Sequence, residues 1–134
     1  MTSIARTSIS DFPRAHEFAQ SSFTLTTAEV AAYLAAIGDT NDYGDGIPPL
    51  ALVALGLRAL QETISLPEGS LHTGQEVEHE SVVLAGAELT LKARIAQRSE
   101  RQGYVISVIE FEISGDAGVA VRARATIMAP AVAA

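Results

Sequence analysis

The sequence predicts one α+β domain in which an antiparallel sheet curls around a long apolar helix. Three observations carry this. The segment "PPLALVALGLRALQETI", starting at Pro48, is apolar nearly all the way round, as a helix buried on most sides must be. Four strand-like segments follow it, two of them clearly alternating. A short strand and a capped helix precede it. Wrapping a sheet around such a helix buries both apolar surfaces in one core.

The elements follow in order. Residues 1 to about 20 are mixed and polar and contain Pro13, which predicts a loosely held arm before a domain spanning 21–130. The terminal "APAVAA" is expected to fray. In "FTLTTAEVAAYLAAIGD", Phe23 to Leu25 is a short strand candidate. Thr26 and Glu29 then form a capping box, in which each side chain satisfies a backbone amide of the other's residue. Val30, Tyr33, Leu34 and Ile37 recur at helical spacing on one face, and Gly38 ends the helix. Pro49 fits the first turn of the second helix, where an amide is not needed. Beyond that helix, "LHTGQEVEHES" is extended and "YVISVIEFEI" is rich in β-branched residues. "ELTLKARIAQ" sets Leu89, Leu91, Ala93 and Ile95 on one face. "VAVRARATIM" does the same with Val119, Val121, Ala123, Ala125 and Ile127. Gly86, Gly103 and the Gly115–Gly118 segment mark the turns between them.

Composition narrows the function classes. A chain of 134 residues has the size of one domain and buries roughly 65–70% of its unfolded surface. Nine basic against sixteen acidic residues give a net charge of −7, which provides no footprint for nucleic acid or an anionic membrane and favours solubility. The absence of cysteine excludes disulfides, thiolate metal sites and a cysteine nucleophile, and fits a cytoplasmic protein. The N-terminus carries no apolar secretory core. The apolar stretch Pro48–Leu60 is too short and interrupted to span a bilayer.

The loop "GDTNDYGDGIPPLAL", residues 38–52, opens like a catalytic loop. Together with "LHTGQEVEHESVVLAGAELTLKARI", its order and spacing resemble the MaoC-like branch of the hot-dog proteins over roughly residues 22–129. The resemblance is to the N-terminal, histidine-lacking type of domain, and it implies a single hot-dog domain. In that family a Gly-Asp-x-Asn-Pro-x-His loop supplies an Asp and a His that add water to, or remove it from, an enoyl thioester. Two titratable groups are needed because the water loses one proton while the α-carbon gains another. Gly38, Asp39 and Asn41 fall on the motif. Asp42 occupies the proline position and Gly44 the histidine position, and the loop is shorter than usual. The resemblance therefore makes Asp39 and Asn41 the candidate catalytic residues without a partner histidine, a loss of roughly 10²–10⁴-fold. It makes Tyr43, Leu50, Ala51 and His72 candidates for substrate binding, with His72 at a family position that is not the catalytic one. Pro48 and Pro49 lack amide hydrogens, so a thioester oxyanion would be met by Leu50 or Ala51. No cofactor and no metal is implied.

Other residues have competing readings. Asp39, Asp42 and Asp45 alternate as calcium ligands do, but the twelve-residue loop with its terminal Glu is missing; turn capping is the alternative. His72 and His79 lie seven apart on one strand, so strict alternation points them to opposite faces. His16 is expected in solvent. Glu76, Glu78 and Glu80 share a face that Arg94, Arg122 and Arg124 can meet across strands, although those arginines also suit the phosphates of coenzyme A.

Three functions remain open. The chain is a catalytically incomplete subunit of a heteromeric (R)-specific enoyl-CoA hydratase or 3-hydroxyacyl dehydratase, shaping the acyl tunnel beside a His-containing MaoC-like partner. Alternatively it is a homodimeric hot-dog enzyme, such as an acyl-CoA thioesterase, using a loop carboxylate. Or it binds an acyl thioester, on CoA or a carrier protein, or another small apolar ligand, without turnover. All three expect a dimer, because a single curled sheet leaves edges to be covered.

Overall fold

A computed structural model of the chain describes residues 6–131. Its main sheet has five antiparallel strands in the order β2-β5-β6-β7-β4. These are β2 (Ser21–Thr24), β4 (Leu71–His79), β5 (Glu88–Arg101), β6 (Tyr104–Gly115) and β7 (Gly118–Pro130). Two helices, α1 (Thr27–Ile37) and α2 (Pro49–Leu60), lie between β2 and the rest of the sheet in sequence. Two-residue strands β1 (Thr7–Ser8) and β3 (Ile64–Ser65) pair in parallel, with a 3₁₀ turn at Ile9–Asp11 between β1 and β2. The sequence-predicted fold is present: α+β, with the sheet packed on the apolar helix.

The local signals act as expected. Thr26 Oγ1 accepts from the Glu29 amide, the Glu29 carboxylate accepts from the Thr26 amide, and Gly38 ends α1 at φ 72°. On α1 the apolar stripe is unevenly covered: Val30 is buried, Tyr33 and Leu34 are half-buried, and Ile37 is exposed. In α2, Ala51, Leu52, Val53, Leu55, Gly56 and Leu60 are buried. They meet the inner-face residues Leu91, Ile95, Ile109, Phe111, Ile113 and Ala123 in one core cluster. At Gly56 the helix comes so close to the sheet that an added Cβ would lie 2.6 Å from Ile113 Cδ1.

Three readings of the sequence are corrected. Residues 6–20 are not a loose arm. Ile9 and Ser10 are buried, the Ala15 and Phe18 amides donate to the Ile95 and Ala93 carbonyls, and the His16 ring packs against both Phe12 and Phe18 at centroid distances of 4.8 and 4.9 Å. Residues 15–18 line β5 beyond the point where β2 stops, and the turn at Ile9–Asp11 packs against β6 and β7. Residues 1–5 and 132–134 lie outside the described residues. At the other end β7 runs on to Pro130, and the Ala131 amide donates to the Gly103 carbonyl, so only the last part of "APAVAA" is left to the expectation of fraying.

The other two corrections come from β-bulges, which break strict alternation. In β7 the register shifts opposite Ile113 and Ser114, so Ala120 and Val121 are both buried and Val119 leaves the core face. In β4 it shifts between His72 and Gly74. His72 therefore pairs with Ile127 and His79 with Val121, both inner-face residues, and the two histidines share one face.

Candidate functional site

The loop between α1 and α2 is built by its own aspartates. The Gly38 and Asp39 amides donate back to carbonyls of the last turn of α1, which places Asp39 just beyond the helix end. Asp39 Oδ1 accepts from both the backbone amide and the side-chain Nδ2 of Asn41, each at 2.9 Å. Asp39 Oδ2 accepts from the Tyr43 hydroxyl at 2.6 Å. Asp42 Oδ1 accepts from the Gly44 amide at 2.8 Å, closing a second turn. A strap from beyond β4 then fixes the loop's exit: the Ile47 amide donates to the Val83 carbonyl and the Ala85 amide to the Asp45 carbonyl.

This geometry sets the electrostatics. The Tyr43 hydroxyl, and after it the Asn41 amide, hold the Asp39 carboxyl below its ordinary range, because each stabilises the ionised form. The same bond pushes the Tyr43 phenol up, since losing its proton beside a carboxylate is unfavourable. Asp39 is thus an ionised acceptor with both oxygens already engaged by its neighbours. The loop contains no histidine. Asp39 and Asp42 serve as turn acceptors, and among the described residues no group of three metal-ligating side chains is gathered to hold an ion. No helix among them is long and apolar enough to cross a membrane.

Pro48 caps α2 without a side-chain hydrogen bond and Pro49 is its first residue. The amides of Leu50 and Ala51 therefore have no acceptor within the helix. The Leu50 side chain is exposed and Ala51 is buried.

The candidate residues fall into separate groups. Asp39, Asn41 and Tyr43 form one hydrogen-bonded unit. Leu50 and Ala51 begin α2. His72 lies against the last turn of that helix, beside Leu57, Leu60 and Gln61. The twelve residues of α2 span about 18 Å. His72 therefore lies far from Leu50 and Ala51 at the start of α2.

Beside His72 lies a cavity of ≈ 210 Å³ that sequence reasoning missed, lined mainly by Leu57, Leu60, Ile64, Leu66, Ile109 and Ile127. It forms where β3, the start of β4 and the inner face of the sheet converge on the end of α2. Its lining joins residues 57–72 to Ile109 of β6 and Ile127 of β7, far apart in sequence, and each of these apolar residues alone is indistinguishable from core.

No family model matches the chain, and no curated protein matches it in sequence. Solved structures match in shape. The (R)-hydratase from A. caviae involved in PHA biosynthesis superposes with a TM-score of 0.70 at 20% identity, over 90% of this chain and 98% of that one. A MaoC-like dehydratase from Rhodospirillum rubrum gives 0.70 at 14%, over 91% and 95%. The C-terminally truncated HadBC (3R-hydroxyacyl-ACP dehydratase) complex from Mycobacterium tuberculosis gives 0.68 at 17%, over 90% and 99%. With its five-stranded sheet packed on α2, the chain has the hot-dog fold, which it shares with this (R)-hydratase, this MaoC-like dehydratase and the HadBC complex.

Proposed function

We propose that this chain is a MaoC-like hot-dog subunit that holds acyl thioesters, on CoA or a carrier protein, and is catalytically incomplete by itself. The observation that carries this is the loop. It keeps Gly38-Asp39-x-Asn41, yet the Asp39 carboxylate is bound to Asn41 and Tyr43 and no imidazole stands near it in sequence. Hydration needs a base for the water and an acid for the α-carbon. An ionised carboxylate with three donors on it supplies neither well. The partner subunit brings the catalytic Asp–His pair, and the assembly works in the cytoplasm as a hydratase or dehydratase.

In this reading the cavity at the end of α2 takes part of the acyl chain. It is apolar apart from Gln61, Ser70 and His72 and opens beside the first residues of β4. The unpaired amides of Leu50 and Ala51, at the positive end of the helix, suit an oxyanion. They lie at the other end of α2, about 18 Å away, so a short acyl chain whose thioester sits at these amides does not reach the cavity.

The test is hydration of crotonyl-CoA by the purified chain, followed by loss of enoyl absorbance, with Asp39→Ala as control. The expected result is no turnover above the control. Robust turnover that Asp39→Ala abolishes would overturn the incompleteness. In parallel, acyl-CoAs should raise the melting temperature. Each methylene that enters the cavity should tighten binding about fourfold, from about 0.8 kcal/mol of transfer free energy, until the cavity is full. A melting temperature indifferent to every acyl-CoA would remove the thioester from the proposal.

A further inference from the structure

The two edges of the main sheet differ. At one edge, β2 is four residues long and residues 15–18 continue the pairing along β5. At the other, β4 is nine residues long and, among the described residues, pairs only with β7, leaving a row of backbone donors and acceptors facing outward. Such an edge is a template for another strand.

The outer face of the sheet says which strand. Two rows of charge cross it. One runs Glu76, Arg124, Glu110, Arg94; the other runs Glu78, Arg122, Glu112, Lys92. Signs alternate from strand to strand. The inner members are paired: Arg94 and Arg124 reach Glu110 at 2.9 and 3.5 Å, and Arg122 reaches Glu112 and, at 3.3 Å, Glu80. Among the described residues, Glu76 and Glu78 make no ion pair. Both rows thus end, at the free edge, on an exposed carboxylate that next calls for a cation.

A second copy of this chain does not supply one. Antiparallel addition about a two-fold axis at Val77 sets Glu76 of each copy against Glu78 of the other. An axis at Glu76 or at Glu78 sets that residue against itself. Registers nearer the start of the strand run into the bulge between His72 and Gly74, which breaks the matching of faces. Like charges directly opposite each other destabilise a strand pair, and opposite charges stabilise it.

We propose that the free edge of β4 is the docking strand for a different chain, whose own edge strand carries Lys or Arg on its outer face opposite Glu76 and Glu78, and that the two glutamates exclude a second copy. This rests on the reading that the chain works with a second subunit, and it specifies that partner's edge.

The chain itself can serve as the probe. Wild type, Glu76→Lys/Glu78→Lys and Glu76→Gln/Glu78→Gln are compared by sedimentation at about 0.01 M and about 1 M salt, where charges are screened beyond ~30 and ~3 Å respectively. At low salt, wild type mixed with the Lys variant should associate at least tenfold more tightly than either alone, and salt should abolish the difference. The Gln variant should self-associate at least tenfold more tightly than wild type at low salt. A mixture no tighter than its components, or a wild-type homodimer as tight as that of the Gln variant, would overturn the proposal. Circular dichroism reports whether the Lys variant folds; if it does not, the Gln comparison decides. No thioester enters the experiment. An edge indifferent to charge would therefore leave the crotonyl-CoA result standing, and turnover by the chain alone would leave the association result standing.

Discussion

The approach of α2 to β6 at Gly56 can be tested by a double-mutant cycle. In Gly56→Ala the new methyl would lie 2.6 Å from Ile113 Cδ1, inside contact distance, while the next nearest atom, Ile113 Cγ1, is at an ordinary 3.6 Å. Ile113 is fully buried, so its end has little room to move. Overpacking of this kind costs about 1–3 kcal/mol, against a gain of about 1 kcal/mol from replacing glycine inside a helix. The single variant should thus be neutral to about 2 kcal/mol less stable. Ile113→Val alone removes the Cδ1 methyl and costs about 0.5–1.5 kcal/mol. Combined, the alanine methyl fills the space that Cδ1 leaves, and the helix keeps its propensity gain. The double variant should be about as stable as wild type, with a favourable coupling of at least about 1 kcal/mol. Urea unfolding of all four proteins at one protein concentration measures this. Additivity within about 0.5 kcal/mol would refute the close packing of α2 on β6.

A further prediction concerns the loop. Tyr43→Phe removes the largest influence holding the Asp39 carboxyl low, so its pKa should rise toward the ordinary range, read from the carboxyl carbon in an NMR titration. A carboxyl with a depressed folded-state pKa adds stability above its unfolded pKa and loses it as pH falls through the folded value. Wild type and Tyr43→Phe should therefore differ most at neutral pH and converge in strong acid; an Asp39 titration that does not move would discount the Tyr43 hydrogen bond.

What was legible in the sequence was local or periodic. Thr26, Glu29 and Gly38 bound α1 because caps act within one turn. The core faces of β5, and of β7 from Val121 onward, follow from side chains alternating along a strand, and α2 announces itself because a helix apolar on all sides must be covered. The Asp39 loop was recognisable by its Gly-Asp-x-Asn start and its missing histidine. Tertiary structure decided the rest. A bulge adds one residue without changing composition, so nothing in "LHTGQEVEH" told that His72 and His79 share a face. The docking of residues 6–20 depends on the edge of β5 beyond β2 and on the surfaces of β6 and β7, which exist only once the sheet is formed. The cavity beside His72 is enclosed by segments far apart in the chain. The acidic end of the charge rows at β4 likewise arises from strand order, and the sequence lists residues without saying which strand lies at the edge.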